Sequence, residues 1–111
     1  MDTDDDGLVD QDALRALRDA VGSEKLASLY ESFLTDAHTF IATLREAARS
    51  QDSAEIHRTA HRLCGLFGQF GSTRVADLAA DVENAEDPLP MAEELTTACE
   101  AALARMDPLA I

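Results

Sequence analysis

Apolar residues return at helical spacing along almost the whole chain. At roughly 100° per residue, Leu14, Leu17 and Val21 share one stripe, with Asp10 before them as an N-cap and Gly22 after them as a stop. Ser23 opens a longer helix in which Leu26, Leu29, Tyr30, Phe33, Ala37, Phe40, Ile41 and Leu44 recur. Asp52-Ser53-Ala54-Glu55 has the form of a capping box, and Ser53 to Phe70 read as one helix behind it. Gly71 ends that helix and Ser72 is placed to cap the next, which turns Val75, Leu78, Ala79 and Val82 inward. Asp87-Pro88-Leu89-Pro90 breaks the chain. A last helix then carries Met91, Leu95, Cys99, Ala102 and Met106 on one side. No stretch alternates with a period of two. The pattern predicts an all-α fold, an antiparallel up-down four-helix bundle with a short additional N-terminal helix.

The helix from Ser53 to Phe70 has two unlike faces. Ile56, Thr59, Ala60, Leu63, Leu66, Phe67 and Phe70 fall on one side; Ala54, His57, Arg58, His61, Cys64, Gly65 and Gly68 fall on the other. His61 therefore points to solvent from a helix whose opposite face is apolar. Gly65 lies one turn beyond it and Gly68 about two. Glycine inside a helix costs about 1 kcal/mol against alanine. Two glycines on one exposed stripe imply that something must approach the histidine closely.

Composition narrows the class. The chain has 111 residues, a natural length for one domain, and 46% are hydrophobic, enough for a core. Aromatics are only 5%, so aliphatic and alanine packing is expected to dominate. No run is long enough to span a membrane and no basic-then-apolar leader is present, so a cytoplasmic protein is expected. Cys64 and Cys99 lie far apart and are expected to stay reduced. A formal net charge of −13 argues against binding to nucleic acid or anionic membranes. The charge is uneven. No Lys or Arg occurs from Val75 to Ala104, whereas Arg58, Arg62 and Arg74 lie on or near the histidine helix, which favours an anionic group there. Residues 1–7 read as a disordered acidic lead-in and 108–111 as a C-terminal tail, leaving 8–107 as the domain.

The stretch Ala60-His61-Arg62-Leu63-Cys64-Gly65, followed by Gly71, resembles the A-H-x-L-K-G pattern and second glycine of the histidine-containing phosphotransfer (HPt) domain family. The likeness extends to the short helix ending at Gly22, to Leu29-Tyr30-Glu31-Ser32-Phe33-Leu34, to Ala47-Ala48 before Asp52, and to Leu78 through Glu83. It covers the chain from about Leu8 to Met106. The resemblance implies a helical phosphoryl carrier rather than an independent enzyme. His61 would take a phosphoryl group from the aspartyl phosphate of a receiver domain and pass it to another receiver's aspartate. The partner would be the receiver of a response regulator or hybrid histidine kinase. No cofactor of the chain's own is implied, because the divalent cation comes with the receiver. A solvent-facing imidazole is a suitable nucleophile at neutral pH. The chain departs from the family at Cys64, where lysine is usual, and a thiol brings no positive charge. Arg58, about one turn before His61, is the favoured substitute, with Arg62 the other candidate. His57, Gly68 and, less centrally, Leu34 are expected to line the docking face. The initial methionine and acidic start favour a free-standing protein, and with no sign of obligate oligomerisation a monomer is expected.

Other chemistries fit less well. His57, His61 and Cys64 have i, i+4, i+7 spacing, but Cys64 lies a turn too far along for one ion, so no metal site is expected. A redox role for Cys64 is weaker than a small tolerated replacement. Asp2, Asp4, Asp6 and Gly7 imitate half a calcium loop, but the twelfth position is Ala13, which has no carboxylate. An adaptor that keeps the bundle and binds a receiver or kinase without carrying phosphate is the alternative function, and Cys64 is the feature that favours it.

Overall fold

The computed structural model describes residues 8–106. The acidic lead-in with its calcium-loop-like aspartates and the tail at 108–111 lie outside the described residues. Five helices follow in order: α1 (Gln11–Val21), α2 (Ser23–Arg49), α3 (Ser53–Gln69), α4 (Thr73–Asn84) and α5 (Leu89–Arg105), with no strand among the described residues. Nor is any described helix long and apolar enough to cross a membrane.

Local chemistry sets each boundary. The Asp10 carboxylate accepts from the backbone N–H groups of Asp12 and Ala13, and α1 ends at Gly22. Asp52 caps α3 by accepting from the Glu55 N–H at 3.1 Å. The expected capping box is only half closed, because Glu55 turns its carboxylate to Arg58 and Thr59 instead. Ser72 stands at the N-cap of α4, yet its hydroxyl makes no cap bond and is buried without a hydrogen-bond partner among the described residues. Helix α5 begins at Leu89, inside the expected break, with Pro90 in its first turn, where a missing N–H is harmless.

Two helix ends close by the same paired hydrogen bonds. At the end of α2 the Asp52 N–H reaches the Ala47 carbonyl at 2.8 Å and the Gln51 N–H reaches Ala48 at 3.2 Å. At the end of α3 the Ser72 N–H reaches Phe67 at 3.0 Å and the Gly71 N–H reaches Gly68 at 3.4 Å. This closure needs one left-handed residue. Gly71 supplies it at φ 78°, whereas Gln51 holds φ 56° with a side chain. Gly71 has a second task. Its carbonyl accepts from the Asp10 N–H at 2.8 Å, which pins the segment bearing buried Leu8 and Val9 across the end of α3.

The helices α2 and α4 each pack against both α3 and α5, and α1 lies on α2. The core holds Leu26, Phe33, Leu44, Ile56, Leu63, Phe67, Val75, Val82 and Leu95, all but shut off from solvent. Stripe-edge residues such as Leu17, Leu66, Leu78 and Met91 are half-buried, and Leu29 lies outside the core, exposed. The few aromatics are concentrated rather than diluted. Phe33 packs on Phe67 with centroids 5.2 Å apart and on Phe70 at 4.4 Å, with Tyr30 alongside. This cluster ties α2 to the C-terminal end of α3, and removing one such buried ring costs about 3–5 kcal/mol.

Candidate functional site

The apolar face of α3 is locked between α2 and α4, so its other face is held outward as a rigid surface. Ile56, Thr59, Ala60, Leu63 and Phe67 are buried, as expected. His61, from the centre of the helix, keeps 71% of its side chain exposed. Its Nδ1 lies 2.7 Å from Oε2 of Glu83, on the last turn of α4. An ionised carboxylate only accepts, so Nδ1 carries the proton. In the neutral ring the lone pair is then on Nε2, the nitrogen at the outer end of the side chain.

His57, one turn earlier, is arranged the opposite way. Its Nε2 lies 2.9 Å from the carbonyl oxygen of Ala85, the residue that ends α4, and the ring is half-buried. A carbonyl also only accepts, so here Nε2 is the donor. The two histidines share a shallow concavity with Arg58, Arg62, Glu83 and Asn84. One of them offers a free outer nitrogen and the other does not.

The arginines are deployed differently. Arg58 donates to Glu55 at 3.0 Å. Hydrogen bonds from Arg58 and then Thr59 hold the Glu55 carboxyl below the usual glutamate range. Arg62 places its guanidinium carbon 5.8 Å from the centre of the Phe40 ring on α2, and makes no ion pair with a carboxylate among the described residues. Cys64 is half-buried. Burial pushes its thiol up from the ordinary value, and the negative charges of Glu83 and Asp77 push it further. The field around this face is thus not simply positive: Glu83 and Asp77 offset the arginines that the sequence placed here.

Gly65 and Gly68 are both exposed, but only Gly65 looks into open space. A side-chain carbon added there would meet nothing within 4 Å, whereas one at Gly68 would touch the Ala76 methyl on α4 at 3.8 Å. Leu34 is half-buried on α2 beside Glu31, Ser32, Thr35 and Asp36, a depression that shares no residue with the one around His61. Its neighbour Phe33 packs on Phe67 and Phe70, so Leu34 lies toward the far end of α3. Among the described residues, no three of the His, Cys, Asp and Glu side chains converge as a metal site.

Two partners of this site were beyond sequence reasoning. Glu83 read as one acid among many between Val75 and Ala104, and the Ala85 carbonyl has no side-chain signal at all. The hints were that Glu83 closes the family-like stretch Leu78 through Glu83 and sits at the edge of the α4 stripe formed by Val75, Ala79 and Val82.

Among protein families, the one described as "Hpt domain" matches residues 28–107, from α2 through the end of α5. No curated protein and no solved structure matches the chain significantly.

Proposed function

The chain belongs to the Hpt domain family, and on that premise we propose that it carries a phosphoryl group on His61 between receiver domains. Hpt domains are histidine phosphotransfer modules of phosphorelay signalling, phosphocarriers rather than independent enzymes. The observation that carries the assignment to His61 is its hydrogen bond to Glu83. With Nδ1 donating at 2.7 Å, Nε2 is left as the nucleophile on an exposed ring.

The Nε2 lone pair attacks phosphorus, the Nε2–P bond forms, and the P–O bond to the receiver's aspartate breaks. The aspartate leaves with the electron pair as a free carboxylate. The proton on Nδ1 stays in place, and the Glu83 carboxylate stabilises the positive charge that develops on the ring. Passing the group onward reverses these steps against a second receiver. The receiver's divalent cation supplies the main charge stabilisation at the phosphoryl oxygens. Both arginines remain candidate counter-ions: Arg58, favoured by its direction on the helix, must leave an exposed pair with Glu55, and Arg62 must leave the Phe40 face, costs of similar size. The pairings Phe33 with Phe67, Arg62 with Phe40, His57 with Ala85, His61 with Glu83, Tyr30 with Met106 and Arg45 with Glu100 support an antiparallel up-down arrangement of α2–α5. A monomeric, cytoplasmic carrier fits this role, with His57, Gly65 and Gly68 on the docking face and Leu34 at its margin.

One feature favours a second reading, an adaptor that binds receivers without taking phosphate: Cys64 lacks the cation that the family usually places there. Incubation with a phosphorylated receiver separates the two. A carrier acquires acid-labile, base-stable label that His61→Ala abolishes; an adaptor forms the complex and stays unlabelled. Arg62→Ala and Arg58→Ala in the same assay show which arginine serves the phosphoryl group.

A further inference from the structure

We infer that His57 is a positioning residue for His61, acting through the C-terminal end of α4. The inference rests on the relay reading for its purpose but on geometry for its content. Helix α4 ends at Asn84, and within the helix its last turn is closed only by short local bonds, the Ala85 N–H to the Val82 carbonyl at 3.3 Å and the Asn84 side-chain amide to the Ala80 carbonyl at 2.9 Å. Glu83 belongs to that turn. The chain beyond it runs through Glu86 and Asp87, both exposed, before Pro88 and α5. Two side chains one turn apart on α3 reach across to this end. His61 meets Glu83 at 2.7 Å and His57 meets the Ala85 carbonyl at 2.9 Å.

The two contacts are not equivalent. The first joins two exposed or half-exposed side chains, each able to rotate away. The second joins a half-buried ring to backbone, and backbone cannot rotate away. His57 therefore fixes where α4 stops, and the stop fixes where the Glu83 carboxylate lies. The donor must be Nε2–H in either charge state, because the Ala85 oxygen only accepts. This also explains why His57, on the same face as His61, is not an acceptor of the same kind: its outer nitrogen is already committed. His57 never touches the phosphoryl group. It selects the tautomer of His61 at one remove, as outer partners orient the ligands of a metal site.

The test reads the tautomer directly in the full-length, unphosphorylated protein. Long-range nitrogen–proton spectra at about pH 8, above the ordinary histidine range, distinguish Nδ1–H from Nε2–H rings. In the wild type His61 is expected in the Nδ1–H form. His57→Ala is expected to move it toward the Nε2–H form that free histidine favours, as Glu83→Ala does. Transfer from a phosphorylated receiver is expected to slow about tenfold, the worth of one charge-assisted hydrogen bond. His57→Gln is expected to restore both readouts, since glutamine's amide nitrogen occupies nearly the place of Nε2 and can donate to Ala85. Should the alanine variant lose its helical circular dichroism, the glutamine variant decides: a retained Nδ1–H ring supports the inference, and an Nε2–H ring in a folded protein overturns it. A folded His57→Ala protein with the wild-type tautomer and wild-type transfer rate also overturns it, leaving the relay reading intact. If the wild type accepts no label on His61, the relay reading falls, and the tautomer still decides whether His57 holds Glu83 in place.

Discussion

Replacing Gly65 with alanine should make the protein more stable and a worse carrier. The glycine lies inside α3, one turn beyond His61, and an added methyl meets no atom within 4 Å. No clash therefore offsets the usual advantage of alanine over glycine in a helix, about 0.5–1 kcal/mol. At roughly 4 °C per kcal/mol for a domain of this length, Tm should rise by about 2–4 °C. The same methyl stands on the surface that a receiver must cover to bring its aspartyl phosphate within about 3–3.5 Å of Nε2. A displacement near 1 Å in such geometry costs about a hundredfold in rate, so transfer should fall by about ten- to a hundredfold. Urea unfolding gives the first quantity and single-turnover transfer from a labelled receiver gives the second. A variant that gains stability and still transfers at the wild-type rate would refute the idea that Gly65 keeps ground clear for the partner. A variant that loses stability would refute the open space itself.

Three further changes probe the frame around the site. Gly71→Ala should destabilise by about 2–5 kcal/mol in urea unfolding, combining a left-handed φ of 78° with a methyl 3.0 Å from the Asp10 carbonyl and 3.1 Å from the Ala13 methyl. Gln51→Gly should instead stabilise by about 1 kcal/mol, because it relieves φ 56° where the closing hydrogen bonds of α2 require it. The Cys64 thiol, held up first by burial and then by Glu83 and Asp77, should react slowly with iodoacetamide at neutral pH. Glu83→Gln removes a negative charge that opposes ionisation, so the midpoint of the alkylation–pH profile should move down while burial keeps it above the ordinary thiol value. An unchanged midpoint would mean that Glu83 does not sense Cys64.

The sequence determined whatever depends on residues close together in the chain. Helical periodicity named the buried faces of α1 to α5, and Asp10, Asp52, Gly22 and Gly71 marked their ends. The same periodicity turned His61 outward, away from the buried stripe of Ile56, Ala60, Leu63 and Phe67. Local rules faltered at the helix ends. Ser72 and Glu55 carry capping side chains that do not cap as expected, and Gln51 adopts a backbone that favours glycine. Tertiary structure alone decided which nitrogen of each histidine is free. That depends on how far α4 slides and rotates against α3, which brings Glu83 to His61 across 22 residues and the Ala85 carbonyl to His57 across 28. Periodicity states which face of a helix is buried. It is silent on the register between two helices, and the chemistry of this site is set by that register.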